Sequence, residues 1–347
     1  MNAFEKSLLG KLRAGLPDLP AITPGIVIDV HVRGKRKGTV RIGDTYEFYD
    51  LASLTKIIFT ASNAMDYFSG RKRALAEPVK TLLPWWRART TPFQLLTHTA
   101  GLDWWKPYYK SLSGPMDPEL RWTQLKKRLA RGLPGAARKA TYSDLDLWML
   151  GALLEAGRDK PLLEMWEDIH ERLKLKQIFF HPRNKPRYAR ARYAPTERCP
   201  WRGKIMRGEV HDENTWALGG VAPHAGLFGT VEATSDWGLK LRAAVLNDDP
   251  MFGDPKLVRY FTGRRIPRAV GDWGLCFMKP SRPKSSSGRY FSARSFGHTG
   301  FTGTSLWMDP VHDVLAVILS NRVHPTRDNA RFPALRGQLH DWICQSL

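Results

Sequence analysis

Leu51-Ala52-Ser53-Leu54-Thr55-Lys56-Ile57 opens a stretch that can continue as a helix to Phe68. If the helix begins near Ser53, positions i and i+3 share one face, so the Ser53 hydroxyl and the Lys56 amine point into one small volume. A serine hydroxyl is a poor nucleophile until a neighbouring base takes its proton. A desolvated lysine can do so, because burial disfavours its charged form. The helix N-terminus adds N–H groups and positive potential beside a developing oxyanion. Taken alone, Ser-x-x-Lys also fits a solvated helix turn, so its meaning depends on the rest of the chain.

Upstream, Phe4, Leu8, Leu9 and Leu12 make a helical stripe, and Pro17 to Pro24 is a turn-rich connector. Ile26 to Val32 reads as a strand, Arg33 to Gly38 as a loop and Thr39 to Ile42 as a second strand, which makes a hairpin leading into the Ser53 turn. Downstream, the pattern becomes helices and loops to about Trp216. Thr91 to His98 has a helix start with Pro92 at the first helical position. Helices are expected over Trp122 to Leu129, Leu145 to Ala156 and Lys160 to Leu173, and Arg183 to Arg207 reads as an irregular surface loop. Gly219 to Thr230 is a tight Gly-rich segment before a helix through Leu246. Trp273 to Met278, Ser305 to Met308 and the β-branched run Val314 to Leu319 are strand candidates, and Phe332 to Leu347 closes the chain as a helix.

The 347 residues, 42% hydrophobic and 25% charged, can bury a large core, which excludes general disorder. The net charge of +21 is spread over short clusters such as Lys35 to Lys37 and Arg71 to Arg73. Such a field attracts anionic substrates or polyanions and also confers solubility. No nucleic-acid motif accompanies it, and none is expected as a partner. Cys199, Cys276 and Cys344 are odd in number and widely separated, so neither a disulfide scaffold nor a zinc site is indicated. His211 and His224 have no metal-ligand spacing; no metal and no cofactor are expected. No stretch reaches the length of a membrane span, and the first residues lack a secretory pattern. The expectation is a cytoplasmic protein, or a periplasmic one if a leader was removed.

Three sites stand in order: Ser53-Leu-Thr-Lys56, Tyr142-Ser-Asp144 and His298-Thr-Gly300. With Leu95-Leu-Thr-His-Thr-Ala-Gly-Leu102, Gly219 to Gly229 and Gly297 to Gly303, this order resembles the serine β-lactamase and penicillin-binding protein superfamily, on the branch with class C β-lactamases, D,D-carboxypeptidases and related esterases. The resemblance covers roughly residues 20 to 345. It implies an α+β fold, an antiparallel sheet flanked by helices and built from both chain ends, with an inserted helical domain. Residues 1–57 and 218–347 would form the sheet domain, residues 58–217 the mostly helical insertion, and the active site the cleft between them.

The resemblance also implies roles. Ser53 would form an acyl-enzyme, with Lys56 and Tyr142 sharing proton transfer. His298 would orient a substrate carboxylate or assist the relay. Ser53 and Phe301 would supply the N–H groups of the oxyanion hole, and Asp144, Thr299 and Gly300 would contact substrate. His98 is read as a structural fastening of its turn. Trp104, Trp105, Tyr108 and Tyr109 are read as core or loop packing, or as a cleft wall that stacks on sugar or acyl groups. Asp144 departs from the family pattern, which has asparagine there: a carboxylate only accepts hydrogen bonds, and its charge would hold Lys56 as ammonium. Tyr142 would then be pressed into service as the base. That argues against an efficient β-lactamase. The readings left are a hydrolase of peptidoglycan-derived peptides (D,D-carboxypeptidase or muropeptide amidase), a carboxylesterase on small acyl esters, and a catalytically silent binding protein of the same fold.

Overall fold

The computed structural model describes residues 1–132, 134, 135 and 137–347. Its centre is a pair of apolar strands from opposite ends of the chain, Gly25–Val32 (β1) and Val314–Ser320 (β10), paired antiparallel from Ile26↔Ser320 to Val32↔Val314. Both are buried nearly throughout, as suits strands rich in Val and Ile that are covered on both faces. Lys35–Gly43 (β2) flanks β1, and Ser305–Asp309 (β9) followed by Phe296–Thr299 (β8) flanks β10, giving the order β2-β1-β10-β9-β8. Every pairing in this sheet is antiparallel.

Alternation along β1 sends its side chains to two cores. Ile26, Ile28 and Val30 pack with Phe4, Leu8 and Leu12 of the helix Ala3–Gly15 (α1) and with Leu339 and Ile343 of Arg331–Cys344 (α10). Val27 faces the other way, onto Trp237 and Leu241 of Val231–Leu246 (α8). That second core is continuous with the helices of the middle of the chain: Ser62–Tyr67 (α2), Pro92–Leu96 (α3), Pro118–Leu129 (α4), Asp144–Arg158 (α5), Leu162–Arg172 (α6) and Glu213–Ala217 (α7). Pro255–Thr262 (α9), which has no counterpart in the sequence reading, joins it through Leu257, Val258 and Phe261. Three short strands, Tyr49–Asp50 (β3), Ile178–Phe179 (β4) and Phe228–Gly229 (β7), pair beside the Ser53 turn. Among the described residues, no helix is long and apolar enough to cross a membrane.

Four expectations need correction. The hairpin turn is only Arg33-Gly34, both at positive φ, and Lys35 already belongs to β2. A two-residue turn of that kind matches the twist of its strands, and the basic side chains then line an exposed edge, where charge discourages further pairing. Residues 183–207 are not irregular throughout: they include a ribbon of Arg198–Cys199 (β5) and Lys204–Ile205 (β6), and Tyr193 is buried against Phe48 and Phe228. Trp273 to Met278 is a reversal, because Gly274 N–H bonds Phe277 O and Cys276 sits at φ +69°; only isolated bridges remain. The helix after Ser53 begins as a π-helix, Lys56–Ala61, before α2 continues it; such wide turns concentrate at functional sites.

The first helix is thus part of the core. Leu8→Ala should destabilise the protein by about 2–5 kcal/mol through the cavity it leaves, read as a lower midpoint of urea unfolding. An unchanged midpoint would mean that α1 is not docked on the sheet in solution.

Candidate active site

Ser53 is set by the turn before it. Asp50 is buried; its Oδ1 accepts from Ala52 N–H and its Oδ2 from His211 N–H. Ala52 is held at φ +47°, a conformation uncommon outside glycine, and this bend places Ser53 at the mouth of the buried helix. Ser53 Oγ receives the Lys56 ammonium at 3.0 Å and the Tyr142 hydroxyl at 2.8 Å.

Lys56 has no exposed side-chain surface. Besides Ser53 it donates to the carbonyl of His224 at 3.0 Å, and its Nζ lies 2.8 Å from Asp144 Oδ1 as an ion-pair contact. Burial alone would push Lys56 towards the neutral amine, but the Asp144 carboxylate and the Tyr142 oxygen outweigh it and raise its pKa above the usual lysine value. Burial also raises Tyr142; Lys56 opposes that shift and Asp144 adds to it. The resting cluster is therefore ammonium, carboxylate and neutral phenol. Burial, with Asp144 adding to it, outweighs the pull of Lys56 and keeps the Tyr142 phenol protonated at rest. Its ring stacks on Trp273 (centroids 5.8 Å apart, planes 12° apart) and touches His98 and His298.

His98 is buried and fastens the Tyr142 turn. The Ser143 N–H points at its Nδ1 (3.3 Å), which also meets Asp146 Oδ2 at 2.9 Å. Burial lowers His98 and raises Asp146, so the shared proton belongs on the carboxyl group.

The carbonyl that holds Lys56 is itself braced. Trp148 Nε1 donates to His224 Nδ1 at 2.8 Å, and an indole N–H can only donate, so the His224 proton sits on Nε2, 3.1 Å from Asp212 Oδ1. Asp144, Asp212 and His224 bring one ligand atom each within 4.8 Å of one another. A metal there would need the Nε2 lone pair, which this tautomer does not offer, and would compete with the Lys56 ammonium for Asp144. These residues do not fit a metal centre.

His298 lies on the edge strand β8. Burial first, then repulsion by Lys56, lower its pKa to about 3. Its Nδ1–H donates to Thr299 O at 2.8 Å, and among the described residues the buried Nε2 lone pair has no partner. Of the two roles expected of His298, a neutral ring with a free Nε2 lone pair suits a part in the proton relay better than the orientation of a substrate carboxylate.

The loop after β8 faces Ser53. Thr302 Oγ1 donates to Asp50 O (2.8 Å) and Thr304 Oγ1 to Leu51 O (3.0 Å), which ties Gly300–Thr304 to the turn that carries the serine. A Cβ on Gly300 would fall 2.0 Å from Thr304 Oγ1 and 2.8 Å from Leu51 O, so only glycine fits. Ser53, Tyr142, Asp144, His298, Thr299, Gly300 and Phe301 all line one cleft of about 770 Å³, with Lys56 beneath its floor. Trp104 (63% exposed), Trp105, Trp273 and Met278 form an apolar wall. Tyr108 and Tyr109 pack against the core instead.

Sequence reasoning thus named the residues around the serine hydroxyl and missed their supports. Trp273 was hidden in an apparent strand. Arg322 and Arg336, also on the cleft, carry no motif, and the role of the His224 carbonyl is a backbone property. The only signal for His224 was its Gly-rich surroundings.

Comparison with known proteins identifies the family and the fold. The family model described as Beta-lactamase matches residues 23–340. The chain is 30% identical over 308 residues, 81% of its length and 70% of the relative's, to a Salmonella paratyphi B protein named "Putative D-alanyl-D-alanine carboxypeptidase". Two solved structures share the fold over 98–99% of this chain and 98% of their own: a class C β-lactamase (TM-score 0.73, 16% identical) and the hydrolase EstCE1, described with promiscuous acyltransferase activity (TM-score 0.71, 18% identical). By its family match and its relatives, the chain belongs to the Beta-lactamase family and is a serine hydrolase of that fold.

Proposed function

We propose that this hydrolase cleaves an amide bond in a peptide ending in a carboxylate, of the peptidoglycan-derived D-alanyl-D-alanine type, through an acyl-enzyme on Ser53. The observation that carries the reading is the convergence of Tyr142 OH and Lys56 Nζ on Ser53 Oγ at 2.8 and 3.0 Å inside the cleft. The relative named as a carboxypeptidase supports the substrate class. So does the positive charge of Arg322, Arg327 and Arg336 on the cleft, which favours an anionic substrate.

In this mechanism Ser53 attacks the carbonyl as its proton passes to Tyr142 in the ionised form. The Lys56 ammonium stabilises that phenolate. The N–H groups of Ser53 and Phe301 hold the oxyanion, where losing one donor typically costs roughly 3 kcal/mol. Tyr142 then protonates the leaving amine, and a water molecule discharges the acyl group by the reverse path. Asp144, which keeps Lys56 charged and opposes Tyr142 ionisation, makes the active form a minority at neutral pH and disfavours β-lactam turnover.

A second reading, a carboxylesterase on small acyl esters, draws on the apolar wall of Trp104, Trp105, Trp273 and Met278. Release of D-alanine from an acyl-D-Ala-D-Ala peptide separates the two: hydrolysis of a p-nitrophenyl ester without that release supports the esterase.

Ser53→Ala should abolish labelling by a fluorophosphonate, seen as a mass shift of the intact protein, with an unchanged melting temperature. Turnover within tenfold of wild type would defeat the mechanism. Lys56→Ala and Tyr142→Phe should each slow acylation by roughly 10² to 10⁴, and their effects should not multiply, because both serve one proton path. A double mutant as slow as the product of the single losses would show two independent groups.

The pH dependence has a definite sign. Asp144 raises both Lys56 and Tyr142, so Asp144→Asn lowers both. The rising limb of the acylation rate should then move to lower pH, with penicillin acylation at pH 7 faster by roughly tenfold. Superimposable profiles for wild type and mutant would show that Asp144 does not govern the relay.

A further inference from the structure

The oxyanion peptide has a clamp. Gly300 C=O and Phe301 N–H are the two ends of one trans peptide and point in opposite directions. The Gly300 oxygen accepts from the Arg336 guanidinium on α10 and, at 3.2 Å, from Gly303 N–H. The next carbonyl, of Phe301, accepts from Arg322 Nε at 2.8 Å, and the Arg322 guanidinium also covers the Phe301 ring at 4.5 Å. Because the Gly300 carbonyl is drawn towards Arg336, the Phe301 N–H at the other end of that peptide points away from Arg336.

Among the described residues, neither Arg336 nor Arg322 makes an ion pair with a carboxylate, and Arg336 Nε is buried without a partner. An unneutralised guanidinium whose Nε is shut off from solvent costs free energy unless its site uses the charge. Here the charge falls on a peptide oxygen, which polarises the peptide and strengthens its N–H as a donor. Burial and the neighbouring Arg322 draw Arg336 down to about 10, still a cation at neutral pH.

We propose that Arg336 is a positioning residue of the oxyanion hole, clamping the Gly300 carbonyl so that the Phe301 N–H faces the acyl carbonyl. This rests on the reading of Ser53 as nucleophile. Without the clamp the peptide can flip, presenting its carbonyl where the oxyanion must sit. The rival role for Arg336, gripping the substrate's carboxylate, predicts a different pattern.

The test compares Arg336→Met, Arg336→Gln and Arg336→Lys with wild type on p-nitrophenyl acetate, which has no carboxylate, and on an acyl-D-Ala-D-Ala peptide. It adds the inhibition constant of phenylboronic acid, whose tetrahedral serine adduct places an oxygen in the hole. Arg336→Met should lower kcat/KM on both substrates by roughly 10² to 10³, the usual effect of losing one oxyanion donor. Boronate affinity should fall in parallel, with KM for the ester little changed. Arg336→Lys and Arg336→Gln, which can still donate to the Gly300 oxygen, should recover part of both, and they decide the matter if the methionine variant fails to fold. Undiminished ester hydrolysis or boronate binding overturns the proposal, as does a loss confined to the carboxylate-bearing peptide. Ester hydrolysis that survives Ser53→Ala would instead remove the nucleophile reading itself; abolition by Ser53→Ala with no effect at Arg336 removes only the clamp.

Discussion

A lysine ammonium cut off from water is stable only where other charges and dipoles replace its hydration. Lys56 finds them in the Asp144 carboxylate, the His224 carbonyl and the Ser53 hydroxyl, which come from the start of α5, the Gly-rich segment before β7 and the turn after β3. Holding three such distant segments around one nitrogen constrains the whole centre of the molecule. The π-helical start of the following helix and the strained Ala52 belong to the same constraint. The Trp148–His224–Asp212 chain extends it into the core, because the indole N–H dictates the imidazole tautomer and so helps fix where the His224 carbonyl lies.

The other half of the cleft is secured differently. The loop from Gly300 to Thr304 is tied by threonine hydroxyls to the backbone of Asp50 and Leu51, and held from behind by the arginine side chains. The serine turn and the loop opposite it are thus directly hydrogen-bonded to each other, which suits oxyanion stabilisation, since its donors must be in place before charge develops. Ionic order continues outward: Arg327 joins Glu197 and Glu213, and Glu197 also meets His211 at 3.0 Å, the residue whose N–H holds Asp50. The net charge of +21 is thus more than a surface property; part of it sits beside the cleft.

Asp144 is where this chain departs from the pattern it resembles, and the structure gives that departure a physical meaning. The carboxylate lies against Lys56, so the cation is kept as a fixed electrostatic support, and Tyr142 is left as a neutral phenol in the resting state. On the proposed mechanism, this makes the proton relay depend on pH.

The sequence by itself determined what periodicity and residue chemistry can express. A β-branched run marked β10 as a buried strand, Ile26 to Val32 read as a strand, the stripe of Phe4, Leu8 and Leu12 marked α1, and the family resemblance carried by the ordered motifs at Ser53, Tyr142 and His298 implied one cleft. It also showed, through Asp144, that the lysine would be charged. Tertiary structure alone decided the rest. The reversal at Trp273 depends on a positive φ at Cys276 that no local pattern announces, and it turns an apparent strand into the platform under Tyr142. The neutrality of His298 comes from complete burial beside Lys56, which lies far away in the chain. The hold on Lys56 and on the Gly300 peptide runs through backbone carbonyls, and a carbonyl is the same in every residue. Its direction is fixed only when strands and helices from both ends of the chain come together.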